Sequence, residues 1–535
     1  MIMKKIHTLF TTLLIAVAFV SCDKFLDRMP DNRATIDTPE KVRALLTSAY
    51  PGTDYMLITE FMSDNVDDYG KNNPYTDRFI DQVYSWQDVT ETDNEDPNSL
   101  WENSYIAIAC ANQALQAIEE MGGAEATGMQ AEQAEALLCR AYNHFILVNV
   151  FAMQYNALTA DLDQGIPYIE EPETLLNPQY ERGTVADVYA KIDKDIQAAL
   201  PYVSEKYYTV PKYHFNTRAA YAFAARFYLY YEQYEKSVEY ANQVLGSTPR
   251  ALLRDWSNQA TMTQEYEPIV NHYIDATLNC NLLLMTAFSK MGLAFGPYSV
   301  YSKYAHGEYL ANRETGIALA GLWGGNNNTY YMNMKVYSAT NLDKTIFWKL
   351  PYLFEYTDPV ARIGYYRTVY PAFSGDMVLL ERAEANIILG NYDSAVDDIN
   401  LWIRNIAQSP TVLTKESIQS YFNNVSYSIW NQSTIKKHLH PAESVAMGPE
   451  GGMKECLLQC ILAIKRVESL GQGLRWFDVK RYDIEIQRRI ISPAGIPERA
   501  TDILLKRDLR RAVQIPPKVR DANLEPTLRE TPINQ

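Results

Sequence analysis

Apolar positions recur every three to four residues along most of the chain, the spacing of helices with one buried face. Trp101, Tyr105, Ile108, Asn112 and Leu115 keep this rhythm. So do Ala134, Leu137, Leu138, Ala141, Tyr142, Phe145 and Val148 in "AEALLCRAYNHFILVNVF". In "GTVADVYAKIDKDIQAALP" the stripe is Val185, Val188, Ile192, Ile196 and Leu200. Thr184 and Asp187 stand where a cap and its first-turn acid belong, and Pro201 ends the run.

Two segments repeat one device, "TRAAYAFAARFYLYYEQYEKSVEYANQVL" (217–245) and "DMVLLERAEANIILGNYDSAVDDINLWI" (376–403). In each, a helix of small and apolar residues meets a short turn. A second helix follows with its stripe: Tyr234, Val238, Ala241 and Leu245, or Tyr392, Ala395, Ile399 and Ile403. The "GNYDSA" turn resembles a tetratricopeptide (TPR) hairpin, where small residues let two helices approach closely. In the first copy Glu232 and Ser237 replace the ideal Gly and Ala. The copies are not in tandem, so no ordinary solenoid is expected. Residues 247–375 between them, rich in Tyr, Asn, Gly and Pro, read as loops and short irregular elements, and 409–455 as a second loop-rich insertion.

The opening departs from this pattern. Lys4 and Lys5 precede an apolar run from Leu9 to Val20 that stops at Ser21-Cys22. It falls short of the ~20 residues a spanning helix needs. It reads as a signal peptide, residues 1–21, with a lipobox at its end. Cys22 is then the lipidated residue, and acyl chains worth ~0.8 kcal/mol per buried methylene hold the body at a membrane. Losing the two lysines shifts the net charge from -16 to -18, 47 basic against 65 acidic residues. A body this acidic repels phosphate backbones, which excludes nucleic acid as a partner. Cys110, Cys139, Cys280, Cys456 and Cys460 lie among apolar neighbours and read as small hydrophobes; i,i+4 helix geometry disfavours a Cys456–Cys460 bridge. The 39 tyrosines exceed any catalytic need and suit contact surfaces.

In order along the chain, "CDKFLDRMPD", "GIPYIEEPET", "TVADVYAKIDKDIQAALPYV", the two hairpins, "IKRVESLGQGLRWFDVKRY" and "AVQIPPKVRDANLEPTLRET" resemble the SusD/RagB-like outer-membrane lipoproteins. Gly471 and Gln472 depart from the family's late signature, and Glu525 replaces an Asn in its closing segment. The resemblance implies a mostly α fold in which TPR-like hairpins form a platform and variable insertions pack on it. It divides the mature chain into 22–205 and 206–535, the latter carrying the insertion 247–375. It also implies a non-catalytic, lipid-anchored protein facing the exterior from the outer membrane. Such a protein captures oligosaccharides for a SusC-like TonB-dependent transporter, and some relatives take peptides.

Sugar capture needs flat aromatic faces and polar groups for hydroxyls. "LWGGNNNTYY" offers Trp323, Asn326, Asn327, Tyr330 and Tyr331, and a second polar, aromatic stretch offers Asp68, Arg78 and Trp86. The competing role for each is to anchor its own loop to the platform, the commoner fate of an aromatic. His438 and His440 could offer two metal ligands, but without a nearby third they imply no metal. "DNEDPN" (93–98) is acidic enough for a structural calcium but lacks loop spacing, and no other cofactor is implied. Arg475 with Asp478, and Glu381 with Glu384, read as structural ion pairs. No nucleophile elbow, P-loop, zincin or dinucleotide motif occurs. A helical glycoside hydrolase needs only two carboxylates and stays open as an alternative, as does a structural TPR lipoprotein.

Overall fold

The computed structural model describes residues 36–73, 75–174, 179–297, 302–324, 330–331, 334–339 and 342–529. The signal segment, Cys22, Asn326 and Asn327 lie outside them. Ten helices carry the architecture: α1 Pro97–Glu120, α2 Gln130–Phe151, α3 Val185–Ala199, α4 Thr217–Tyr230, α5 Tyr234–Leu245, α6 Gly375–Leu389, α7 Tyr392–Ile406, α8 Lys415–Asn423, α9 Met453–Glu468 and α10 Arg475–Arg481. The chain is mostly helical, as the periodicity requires. No described helix is long and apolar enough to cross a membrane.

Local chemistry sets the helix ends. Asp96 accepts the Ser99 N–H at 2.6 Å and starts α1. Thr184 and Asp187 form the expected reciprocal capping box at α3. Gly390, at φ 84°, closes α6 in the left-handed region. The matching turn between α4 and α5 uses Glu232 at φ 60°, a conformation glycine adopts more readily.

The two hairpins, remote in sequence, are neighbours in space. Helix α5 packs on α6, so α4–α5 and α6–α7 stack as consecutive repeats, with α2–α3 before them and α8–α9 after. The intervening 130 residues are therefore an excursion from a continuous stack. One core runs through it, with Phe145, Phe223, Phe227 and Tyr189 in mutual ring contact. Many tyrosines expected at contact surfaces, among them Tyr189, Tyr228, Tyr273 and Tyr482, are buried here instead. Cys139, Cys280, Cys456 and Cys460 are buried and unbridged.

The expectation of loops over 247–375 is corrected. The strands are β1 Asp67–Asp68, β2 Asn281–Phe288, β3 Tyr304–Ala305, β4 Met334–Ala339, β5 Leu342–Phe347, β6 Leu353–Asp358, β7 Ile363–Ser374, β8 Ile486–Ile491 and β9 Pro497–Leu504. Six of the nine fall in that region. They form an antiparallel sheet β2-β7-β6 and the hairpin β4-β5, while β3-β1-β8-β9 makes a third sheet. Residues 409–455 are loop-rich, as read from the sequence, and also hold α8.

Where β2 ends, Asp54 and Glu95 are buried close together beside Ser289. Burial pushes Asp54 up to about 7, while Ser289 and the Met56 and Leu57 N–H groups pull the other way. The folded state thus holds a proton that the unfolded chain has already released. Stability from this group falls as pH rises from the unfolded value, ~4, towards 7. Asp54→Asn keeps the acceptor and removes the titration. Its urea midpoint at about pH 7.5 should gain on the parent's relative to the difference at about pH 5.

Candidate functional site

Strand β1 places two adjacent acids on opposite faces of its sheet. Asp68 pairs across to Tyr304 and Ile490. Asp67 turns the other way, into a cavity of about 240 Å³ between the residues after Met62, β8 and the loop 428–438. Its floor is a network of charges from distant parts of the chain. Arg489 on β8 grips Asp67 with both arms, at 2.8 and 3.1 Å, and reaches Glu314 at 2.9 Å. Glu314, just past the helix Glu308–Arg313, accepts Lys437 at 2.6 Å and Arg466 at 3.0 Å. Arg475 forks onto Asp64 at 2.8 and 3.0 Å, with Arg466 3.3 Å away.

Desolvation and these partners compete for each carboxyl. Burial alone would raise Glu314, but Lys437, Arg489 and Arg466 hold it well below the usual range. Asp64 follows the same logic, with Arg466 and Arg475 outweighing burial. At Asp67 burial wins over Arg489, and the carboxyl is raised. Arg488, next along β8, instead donates to the carbonyls of Phe61, Met62 and Ser63 at 2.7, 3.0 and 2.8 Å. It satisfies the last turn of the helix Met56–Met62.

Trp430, half-buried, lines the same cavity, its backbone N–H donating to Gln487 at 2.7 Å and its carbonyl accepting Arg489 at 3.2 Å. Ser428 contacts Lys437 at 3.0 Å. A tryptophan lining a cavity with oriented carboxylates, guanidinium groups and an amide combines an apolar residue with fixed donors and acceptors, the pattern of a small-molecule site.

The residues nominated from sequence are distributed differently. Trp323 is 1% exposed and packs edge-on against Tyr330 and Trp402, with ring centroids 5.8 and 6.4 Å apart. Tyr330 is buried and donates to the Gly316 carbonyl at 2.5 Å; the Tyr331 N–H bonds to Ile406, and the ring is half-buried. These aromatics tie their loop to the end of α7, so an exposed Trp323 platform is corrected to a structural anchor. Trp86, 1% exposed at φ 51°, lies 4.3 Å from the Arg488 guanidinium and donates to the Met62 carbonyl at 2.9 Å. It too is an anchor. Asp68 is buried, accepting the Gly70 N–H, and Arg78 is exposed and paired with Glu91 at 3.1 Å.

His438 and His440 are not a metal pair. Two apart in sequence, they line different cavities, and His438 contacts Glu450 at 2.9 Å. The "DNEDPN" acids are committed to capping α1 and to an ion pair between Asp93 and Lys290. The nominated ion pairs are structural but with other partners. Arg475 takes Asp64, Asp478 takes Lys465, Glu381 takes Arg226, and Glu384 takes Lys465 and Arg481. Trp430, Glu314, Asp64, Asp67 and Arg489 escaped sequence reasoning. A lone tryptophan in the polar run "SYSIWNQST" was the one available sign.

Stacked TPR-like hairpins supporting a recessed, charge-floored cavity define a helical binding protein. Comparisons refine this. Residues 24–229 match the family described as starch-binding and associating with the outer membrane, and residues 323–502 match the SusD family. The chain belongs to the SusD/RagB-like family. No curated protein matches it. Among solved structures, a SusD superfamily protein from Bacteroides thetaiotaomicron is 18% identical over 92% of this chain and 99% of its own, with a TM-score of 0.64. A putative sugar binding protein from Bacteroides vulgatus is 16% identical over the same shares, with a TM-score of 0.65. At such identities the likeness establishes the fold.

Proposed function

We propose that the protein captures oligosaccharides in the Trp430 cavity and delivers them, uncut, to a SusC-like TonB-dependent transporter. In this reading it is held at the outer membrane, facing outwards, by acyl chains on Cys22. The observation that carries it is the half-buried Trp430 lining one cavity with the Asp67–Arg489–Glu314–Lys437 network. A pyranose presents an apolar CH face and a rim of hydroxyls, each of which both donates and accepts. The ion pairs hold acceptors and donors in fixed directions, so little ordering is lost on binding. A cavity of 240 Å³ lies near the small end of ligand pockets, suiting one or two sugar rings of a longer chain. The family's starch-binding description and the sugar-binding neighbour support the same cargo.

Of the cavity's carboxyls, Glu314 and Asp64 are held ionised by their cations and are not proton donors for a leaving group at neutral pH, whereas burial raises Asp67, so product formation decides the non-catalytic reading. The test is incubation of residues 23–535 with polysaccharides, oligosaccharides and peptide digests, with affinity and product formation read on the same samples. Saturable glycan binding with no new products is expected. Peptide binding alone would reassign the cargo, and cleavage would end the non-catalytic reading.

A further inference from the structure

The segment Lys437–Pro441 separates the Trp430 cavity from a second, larger one of about 560 Å³, bounded by Gln154–Asn156, the loop 439–448, the end of α10 and the β9 exit. Two features set it apart. The first is charge. Lys506 and Arg507 are exposed at its mouth, and neither is in an ion pair among the described residues. Arg481 lies on the same wall but is already paired with Glu384 and Asp478, and burial holds the His440 imidazole towards its neutral form. Of the carboxylates there, buried Asp483 is already committed: it accepts the Arg507 N–H at 2.9 Å and pairs with Arg511 at 2.9 Å. Glu443 is exposed at the edge. On a chain of net charge -16, the adjacent Lys506 and Arg507, without an ion-pair partner among the described residues, run against the prevailing field.

The second feature is backbone conformation. Ala446, Asp483 and Arg507, all lining this cavity, have φ of 44°, 46° and 54°. Side-chain-bearing residues adopt this region at a cost, and such residues gather where a ligand is clamped. Here the strained turns are interlocked, since Asp483 holds the Arg507 backbone N–H.

We propose that this cavity is a second ligand site, for an anionic saccharide whose carboxylate or sulfate meets Lys506 and Arg507. The half-buried Tyr155 and the Gln154 and Asn156 side chains serve the sugar ring. The proposal rests on the glycan-capture reading but on different residues. It is tested on residues 23–535 with an oligogalacturonate, a neutral gluco-oligosaccharide of equal length and inorganic phosphate, at low and high salt. The variants are Trp430→Ala and Lys506→Gln combined with Arg507→Asn, because asparagine tolerates the left-handed conformation. Oligogalacturonate affinity should fall at least about tenfold in the double variant and also fall with salt, while surviving Trp430→Ala. Phosphate should bind far more weakly than oligogalacturonate. An unchanged affinity in the double variant, loss in Trp430→Ala alone, or phosphate binding as tightly as the sugar would overturn it. Neutral glycan bound at Trp430 with no acidic glycan bound at all would sink this site and leave the first intact.

Discussion

Glu314→Gln should lose about 3–5 kcal/mol of folding stability, the usual cost of removing one partner from a buried ion pair. The carboxylate is 3% exposed and balances Lys437, Arg466 and Arg489. Glutamine fills the same volume and retains one acceptor, so packing is preserved and the charge is the variable. Arg466 keeps Asp64 and Arg489 keeps Asp67, but among the described residues Lys437 forms its ion pair with Glu314 alone, Asp64 acting only from farther off. Its ammonium is already disfavoured, burial outweighing Glu314. Adding Lys437→Met should therefore recover a good part of the loss, whereas independent sites would add. Guanidinium unfolding at neutral pH reads both. A single variant within about 1 kcal/mol of the parent would mean that the network is wetter than its burial indicates.

Gly473→Ala should be comparably severe for a different reason. Buried Glu60 accepts the N–H groups of Gly471 and Gly473 at 2.9 and 2.7 Å, wrapping the "LGQGLR" turn around one carboxylate. Both glycines have positive φ, 77° and 74°. At Gly471 an added Cβ meets only the Phe295 ring at 3.4 Å, so the cost is mainly conformational, about 1–2 kcal/mol. At Gly473 it would lie 2.2 Å from Thr59 Oγ1 and 2.8 Å from the Met56 Cα. The second is backbone and cannot step aside, so overpacking adds about 1–3 kcal/mol. The ordering is the prediction: Gly473→Ala well below Gly471→Ala in unfolding midpoint, with Thr59→Ala rescuing only part. Equal midpoints would contradict this packing.

What sequence reveals here divides by range. The α3 capping box, the hairpin stripes and the Gly390 turn are local, so periodicity and cap chemistry exposed them. That α5 packs on α6 was hidden, because nothing in residues 247–375 says where the chain returns. The sheets were missed for a related reason. "NLLLMTAF" is an uninterrupted apolar run whose state depends on β7 beside it, and β7 itself contains Pro371. Trp323 looked exposed because its loop is polar, yet Trp402, 79 positions later, covers it. The candidate site is the extreme case. Asp67, Glu314, Lys437 and Arg489 are unremarkable alone, and only the fold assembles them under Trp430.

Calorimetric titration of the tightest-binding oligosaccharide from the panel into the parent, Trp430→Ala and Trp323→Phe tests the placement of the site. Losing the Trp430 indole should cost about 1–3 kcal/mol of binding, roughly 5- to 150-fold in affinity, with the unfolding midpoint unchanged. Trp323→Phe should bind as the parent does while melting earlier. Parent-like binding by Trp430→Ala, with affinity lost instead in Trp323→Phe, would move the site to the loop that the structure shows buried.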